Sequence, residues 1–300
     1  MGTMGQEKVQ VLLSTYQGEQ YLAEQLDSLL GQTWKNLEIL ARDDGSKDNT
    51  QQILEDYSQK YSQITYYAGK NVGVANSFFD LLQKSDADYV AFCDQDDVWL
   101  EKKIEIAVRR LKKETGPALY CSNKILVDRQ LRRLKKQDKA QRRPGFGNAV
   151  VECICTGCTA VMNRELAKIL AAKVPEHAIL HDWWAYLAAA YTGKVIFDRR
   201  AYILYRQHGK NVVGAKGGFW GAVQSKAAYL KNNKGKLKGQ LTDFSKLYHG
   251  DREKDALVAK VLAAETIPGR IKVVWNRKIY RQSVLDELIM RILFLIGKML

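Results

Sequence analysis

The sequence predicts an α/β fold built on a parallel, doubly wound sheet, and three observations carry that prediction. Short apolar runs alternate with stretches of helical periodicity from Val9 to Cys121. One run, Tyr89–Cys93, is apolar at every position and too short for a helix, the pattern of a strand buried on both faces. Three of the runs end in polar or acidic loops, and in open α/β sheets ligands gather at the carboxyl ends of the strands.

The elements follow in order. Residues 9–13 read as a strand ending in Ser14-Thr15-Tyr16, and Leu22, Leu26, Leu29 and Leu30 then share one helical face. Residues 37–41 form a second strand that runs into Asp43-Asp44-Gly45-Ser46. Asp48, with Gln51 three residues on, is expected to cap a helix lined by Ile53, Leu54, Tyr57 and Tyr61. Residues 64–67 are a third strand, followed by a loop from Gly69 to Gly73 and a helix through Phe78, Leu81 and Leu82. After the central strand at 89–93, Ile104, Ala107, Val108 and Leu111 mark a helix and residues 118–121 a further strand. From Lys124 to Arg143 the chain turns polar and basic and reads as a surface loop. A helix near 164–172, the cluster His181-Asp182-Trp183-Trp184, and strand-like runs at 195–197 and 202–205 complete this part.

Composition sets the bounds. Three hundred residues at 46% hydrophobic content can bury a large core in one or two domains. Five cysteines form no disulfide framework, and no secretory signal opens the chain, so a reducing cytoplasm is the expected home. Cys153, Cys155 and Cys158 lack a second pair at zinc-ligand spacing. The net charge of +14 is uneven: residues 1–200 hold 28 Lys and Arg against 26 Asp and Glu, residues 201–300 hold 19 against 7. An anionic partner is implied for the last third, a nucleic acid or an anionic membrane surface.

The three loops carry the chemistry. Asp94, Asp96 and Asp97 place three carboxylates within four residues, which repel one another unless a hard divalent cation holds them. An Asp beside a Gly-Ser turn can accept the imide N–H of a pyrimidine base, and an Asp-x-Asp cation can neutralise a diphosphate. A nucleotide-diphosphate ligand is the economical reading. No Gly-x-Gly-x-x-Gly follows the first strand and no Gly-Lys-Ser/Thr loop is present, against a dinucleotide cofactor and a P-loop nucleotidase. Trp183 and Trp184 can offer a platform for a sugar ring or begin a core-facing helix.

These motifs together resemble the family-2, inverting glycosyltransferases of GT-A fold. The spellings are Leu13-Ser-Thr-Tyr16, Arg42-Asp-Asp-Gly-Ser46, Asn71-Val-Gly73, Asp94-Gln-Asp-Asp-Val-Trp99, His181-Asp-Trp-Trp184 and Tyr205-Arg-Gln-His208. They are similar to the bacterial rhamnosyltransferase branch, which builds cell-wall or capsular polysaccharide, typically from dTDP-L-rhamnose. The resemblance implies a mixed GT-A sheet flanked by helices in a catalytic domain over residues 1–213, with a nucleotide-sugar half at about 8–123 and an acceptor half at about 145–213. It implies a contact from Asp43 or Asp44 to the base, with Thr15, Tyr16 and Asn71 beside the nucleotide. Asp94 falls against ribose or metal, Asp96 on a Mn2+ or Mg2+ ion bridging the phosphates, and His208 on metal or diphosphate. Asp182 takes the place of the catalytic base, and His181 stands where the family commonly has Glu, beside an acceptor contacted by Trp183 and Trp184. The acceptor would be a saccharide or a lipid-linked saccharide. Two alternatives are a transferase of the same fold using a UDP-sugar and a sugar-nucleotide pyrophosphorylase, the latter expected to show a Gly-rich loop near the first strand. A non-catalytic nucleotide- or nucleic-acid-binding protein is a third, but no nucleic-acid-binding motif accompanies the basic C-terminal charge, so no nucleic acid partner is expected.

Residues 214–300 read as a basic, mostly helical extension. The apolar run 288–296 spans nine residues, too few to cross a bilayer, which takes ~20. Basic and aromatic residues interleave it, as in helices lying in a membrane interface. Docking on anionic membrane at the inner face of the cell membrane is therefore expected, or packing on the catalytic domain or against a second subunit in a homo-oligomer.

Overall fold

The computed structural model describes residues 7–135, 143–207 and 235–300. The chain forms two compact units. The first takes residues up to 135 with 155–174 and 180–207, and the second takes 143–154, 175–179 and the C-terminal residues.

The first unit is an eight-stranded sheet ordered β3-β2-β1-β4-β7-β6-β8-β5. Its strands are β1 (Val9–Thr15), β2 (Leu37–Asp43), β3 (Ile64–Ala68), β4 (Tyr89–Cys93), β5 (Val98–Trp99), β6 (Ala118–Val127), β7 (Val161–Asn163) and β8 (Lys194–Arg206). Helices α1 (Leu22–Leu30), α2 (Thr50–Lys60), α3 (Val74–Gln83), α4 (Lys103–Leu111), α6 (Arg164–Ala172) and α7 (His181–Thr192) flank it, and α5 (Phe146–Ala149) belongs to the second unit. Val9, Val11 and Leu13 of β1 join Leu22, Leu26 and Leu29 of α1 in one core, all fully buried. Every residue of β4 is buried, as expected of a strand covered on both faces.

Strands β3, β2, β1 and β4 run parallel, but β7 is antiparallel to β4 and to β6, and β5 is antiparallel to β8. The sheet is thus mixed, as the family resemblance implies, and not all parallel as the alternation of runs alone suggests. Three-residue β7 has neither the length nor the alternation to declare its direction in sequence. Two further expectations change. Residues 195–197 and 202–205 belong to one strand, β8, interrupted by the charged Asp198-Arg199-Arg200 where its register with β6 shifts. Residues 124–127, expected as the start of a surface loop, continue β6. Helix α2 begins at Thr50, and Asp48 serves it from outside by accepting the Thr50 N–H (3.1 Å).

The second unit is helical: α5 with α8 (Lys236–Leu247), α9 (Arg252–Leu262), α10 (Ile267–Val274) and α11 (Val284–Leu295). Phe146, Phe244, Leu257, Val261, Met290 and Phe294 are buried in it. Buried polar ties cross it: Asn148 donates to the Tyr280 carbonyl (3.1 Å), and Glu152 accepts the Gln282 N–H (2.8 Å) and pairs with Arg281 (3.3 Å). Asp243 accepts the N–H of Glu176 (3.0 Å) and of His177 (2.7 Å). Among the described residues no helix is long and apolar enough to cross a membrane.

Candidate functional site

Loops leave the carboxyl ends of β1, β2 and β4 side by side, because these three strands are parallel and in register. The first two loops are built as one piece. Asp43 is wholly buried. Its Oδ2 accepts the N–H of Gly45 (3.1 Å) and Ser46 (2.8 Å) and the Gln51 amide (2.9 Å), and its Oδ1 accepts the hydroxyls of Ser46 (2.5 Å) and Thr15 (3.1 Å). The turn needs Gly45, whose φ of 82° lies where a side chain is strained. Asp44 pairs with Arg42 (2.5 Å) and accepts the N–H of Val72 (2.8 Å) and Gly73 (2.9 Å). Arg42 also reaches Asp80 (3.0 Å) and the Lys70 carbonyl (3.0 Å), so the segment carrying exposed Asn71 hangs on this ion cluster.

Tyr16, 49% exposed, is held through its backbone: its N–H donates to Gln95 Oε1 (2.7 Å) and its carbonyl accepts from Gln95 Nε2 (2.9 Å). The middle residue of Asp94-Gln95-Asp96 therefore staples the first loop to the third. In sequence its uncharged amide gives no signal beside the three carboxylates around it.

The third loop is held from a neighbouring strand. Arg206, itself buried, pins it by giving its N–H to Asp97 Oδ1 (3.0 Å) and its Nε–H to the Asp96 carbonyl (2.9 Å). Asp94 and Asp96 are half-buried and Asp97 fully so. Withdrawal from water, then the charges of Asp96 and Asp182, push the Asp94 carboxyl up to about 7. Asp97 rises well above the ordinary range, by burial and then by Asp96 and Asp94. Donor atoms of Asp94, Asp97 and the Cys158 thiol lie within 4.8 Å of one another. Crowded carboxylates raised by burial and by one another's charge suit a hard divalent cation, whereas the thiol is a softer donor that burial keeps protonated. His208 lies outside the described residues.

Asp182 stands in the first turn of α7. Its Oδ2 accepts the Gly157 N–H (2.9 Å), and its buried Oδ1 has no hydrogen-bond partner among the described residues. Burial pushes its carboxyl up to about 6, against a downward pull from the amides of Trp183 and Gly157 and from Lys124. His181 packs as an aromatic ring, stacked on Phe78 (3.8 Å between centroids) and edge-on to Phe92 (4.8 Å), and burial holds it neutral down to about 3. Trp184 is fully enclosed and donates to the Lys173 carbonyl (3.3 Å), while Trp183 is almost enclosed. Lys124, which the sequence marks only as the start of a basic loop, is the cation that acts on both Asp94 and Asp182.

Comparison with known proteins gives this layout a class and then a family. The fold resembles solved nucleotide-sugar transferases of GT-A type. These include S. aureus TarS in complex with UDP-GlcNAc (TM-score 0.61, 17% identity, 85% of this chain and 72% of that one). They also include the mannosyltransferase PcManGT of Pyrobaculum calidifontis in complex with GDP-Man and Mn2+ (TM-score 0.53, 16% identity, 96% and 88%). The model of glycosyl transferase family 2 matches residues 10–170, and the chain belongs to that family. A dTDP-rhamnosyl transferase, RfbG of Shigella flexneri, is 33% identical over 216 residues, 68% of this chain and 74% of that protein. An uncharacterised glycosyltransferase of Rickettsia typhi is 27% identical over 67% of this chain and 64% of its own length.

Proposed function

We propose that this glycosyltransferase moves L-rhamnose from dTDP-L-rhamnose to a saccharide or lipid-linked saccharide, with inversion, in cell-wall or capsular polysaccharide synthesis. The observation that carries the reading is Asp182: one oxygen held by the Gly157 amide, the other buried and without a donor among the described residues. An acceptor hydroxyl is such a donor, and Oδ1 takes its proton as the oxygen attacks the anomeric carbon. The diphosphate then leaves from the opposite face of the sugar.

In this reading Asp43 shapes the base-binding turn, Asp44 ties the Asn71 segment to it, and Thr15 and Tyr16 border the nucleotide. Asp94 and Asp96, with Asp97 behind them, would hold a Mn2+ or Mg2+ ion, which when bound supplies positive charge to the departing diphosphate. His181 sets the first turn of α7 by packing, and Trp183 is the ring nearest to serving an acceptor sugar. The dTDP-rhamnosyl relative supports the donor. A competition among dTDP-, UDP- and GDP-sugars, with the anomeric configuration of the product determined, tests it. Productive preference for a UDP- or GDP-sugar would replace the rhamnosyl reading, and a retained configuration would remove Asp182 as base.

The same reading has the enzyme work on an anionic membrane surface at the inner face of the cell membrane. Helices α10 and α11 are tied together by Arg291, which donates to the carbonyls of Val274 and of Ile279 (3.3 Å). Ile267, Ile271 and Trp275 line one exposed face, and Leu285, Leu288 and Ile292 another at helical spacing, with Trp275 81% exposed. Lys272, Arg277 and Lys298 are exposed and form no ion pair with the described residues. Apolar side chains bordered by free cations match an anionic bilayer, which contributes roughly 1 kcal/mol per cation. Sedimentation with phosphatidylcholine vesicles, with and without phosphatidylglycerol, checks this. The pair Leu288→Gln and Ile292→Gln should lower the bound fraction, and a fall in solution mass without any vesicle binding would make the face a subunit contact.

A further inference from the structure

We propose that Lys124 is a positioning residue for the base, acting on Asp182 through Thr156 and Gly157; the inference rests on Asp182 being that base. Lys124 sits where the β6–β8 register slips between Asn123 and Ile125, so it lacks the regular cross-strand partner its neighbours have. Such irregularities re-aim a side chain. Here the ammonium passes over the Tyr205 ring (4.3 Å to the centroid) and donates to Thr156 Oγ1 (2.9 Å).

Thr156 opens a tight turn. Its carbonyl accepts both the N–H and the hydroxyl of Thr159, each at 2.8 Å. With side chain and carbonyl both fixed, the next amide, that of Gly157, is aimed at Asp182 Oδ2. The turn is closed from the other side by His181: a Cβ on Gly157 would lie 2.7 Å from His181 Nε2 and 3.5 Å from Asp182 Cβ. Gly157 thus lies between the Lys124 tie and the His181 ring with no room for a side chain. The carboxylate it holds has a single settled orientation, with Oδ1 left over for the acceptor. A base set about an ångström off can lose ~10²-fold in rate while substrate binding is kept.

Lys124→Met keeps the stem over Tyr205 and removes the hydrogen bond. We expect kcat to fall ~10-fold or more with the donor KM within about threefold. Thr156→Val, which removes the acceptor of that bond and keeps the cation, should lower kcat in the same direction, and Lys124→Arg should recover part of the loss. The deciding comparison is made in an Asp182→Asn background. A residue that acts only by orienting Asp182 has nothing left to orient there, so Lys124→Met should change the residual rate by less than about twofold. A full multiplicative loss in that background overturns the proposal, as does a raised donor KM with kcat kept, which would make Lys124 a diphosphate contact. Near-normal turnover of Asp182→Asn alone would instead remove the base assignment. Thr156→Val decides the matter should Lys124→Met fail to fold.

Discussion

Two acidic turns follow the strands on either side of β1, Asp43-Asp44 after β2 and Asp94-Gln95-Asp96-Asp97 after β4, and the protein uses them in opposite ways. Asp43 meets five protein donors and Asp44 meets an arginine and two amides. Their charge is absorbed by the fold, and what they do is set the shape of a loop. The second turn lies withdrawn from water with its carboxylates close together, so burial first and their mutual repulsion second raise Asp94 and Asp97 above the ordinary carboxyl range. A carboxylate satisfied by the protein builds structure, and one left in want of a partner is available to ligand or reaction.

Substitutions should separate the two uses. The largest effect is expected at the carboxyls that burial raises. Asp182→Asn and Asp94→Asn should each lower turnover by ~10²-fold or more while the melting temperature holds or rises, since an unfavourable buried charge is removed. A large loss of stability in either would place it with the structural turn. Asp43→Ala should do the reverse, costing about 2–4 kcal/mol of stability by orphaning amides and hydroxyls now bound to one buried carboxylate. Thermal unfolding without ligand is the check.

A subtler contrast is in pH. A carboxyl raised from 3.8 to about 7 favours the folded state when protonated, so its stabilisation is complete below 3.8 and lost as pH rises through about 7. Asp182 acts likewise through about 6, and buried His181 opposes both below its ordinary 6.5. Between pH 6.5 and 7.5 the chelator-treated protein should therefore lose melting temperature as pH rises, more steeply than Asp94→Asn does. Mn2+ or Mg2+ should flatten the wild-type slope. Equal slopes in protein and variant would mean that Asp94 is already ionised. Smallest of all, Gln95→Ala should raise the donor KM by about fivefold through the loss of its two backbone hydrogen bonds to Tyr16, with kcat little changed.

Much of this was legible in the sequence. The apolar runs at 9–13, 37–41 and 89–93 declare buried strands, and the loops after them declare an edge where a ligand belongs. Other features need the third dimension. Asp43 and Asp44 look alike in sequence, and only the fold shows that Asp43 is surrounded by donors. Lys124 reads as the first cation of a basic loop, because nothing local announces a β-bulge or a threonine 32 residues on. Gln95 is an ordinary polar residue until its amide meets the Tyr16 backbone. Nor does any break in composition reveal that residues 143–154 belong with the C-terminal helices.

That last placement has a consequence for how the chain is made. Asn148 and Glu152 find their partners at Tyr280 and Gln282, 132 and 130 residues later. At ~5–20 residues per second of synthesis, the earlier segment waits roughly 7–26 s for the later one to emerge. Throughout that interval Phe146, Val150 and Val151, buried in the finished protein, lack their final surroundings. The sheet can assemble from what has already been made, but the helical unit cannot close until residues 235–300 have left the ribosome. Translation speed over the residues between these partners thus sets how long an apolar segment from the middle of the chain stays open to chaperones, or to aggregation.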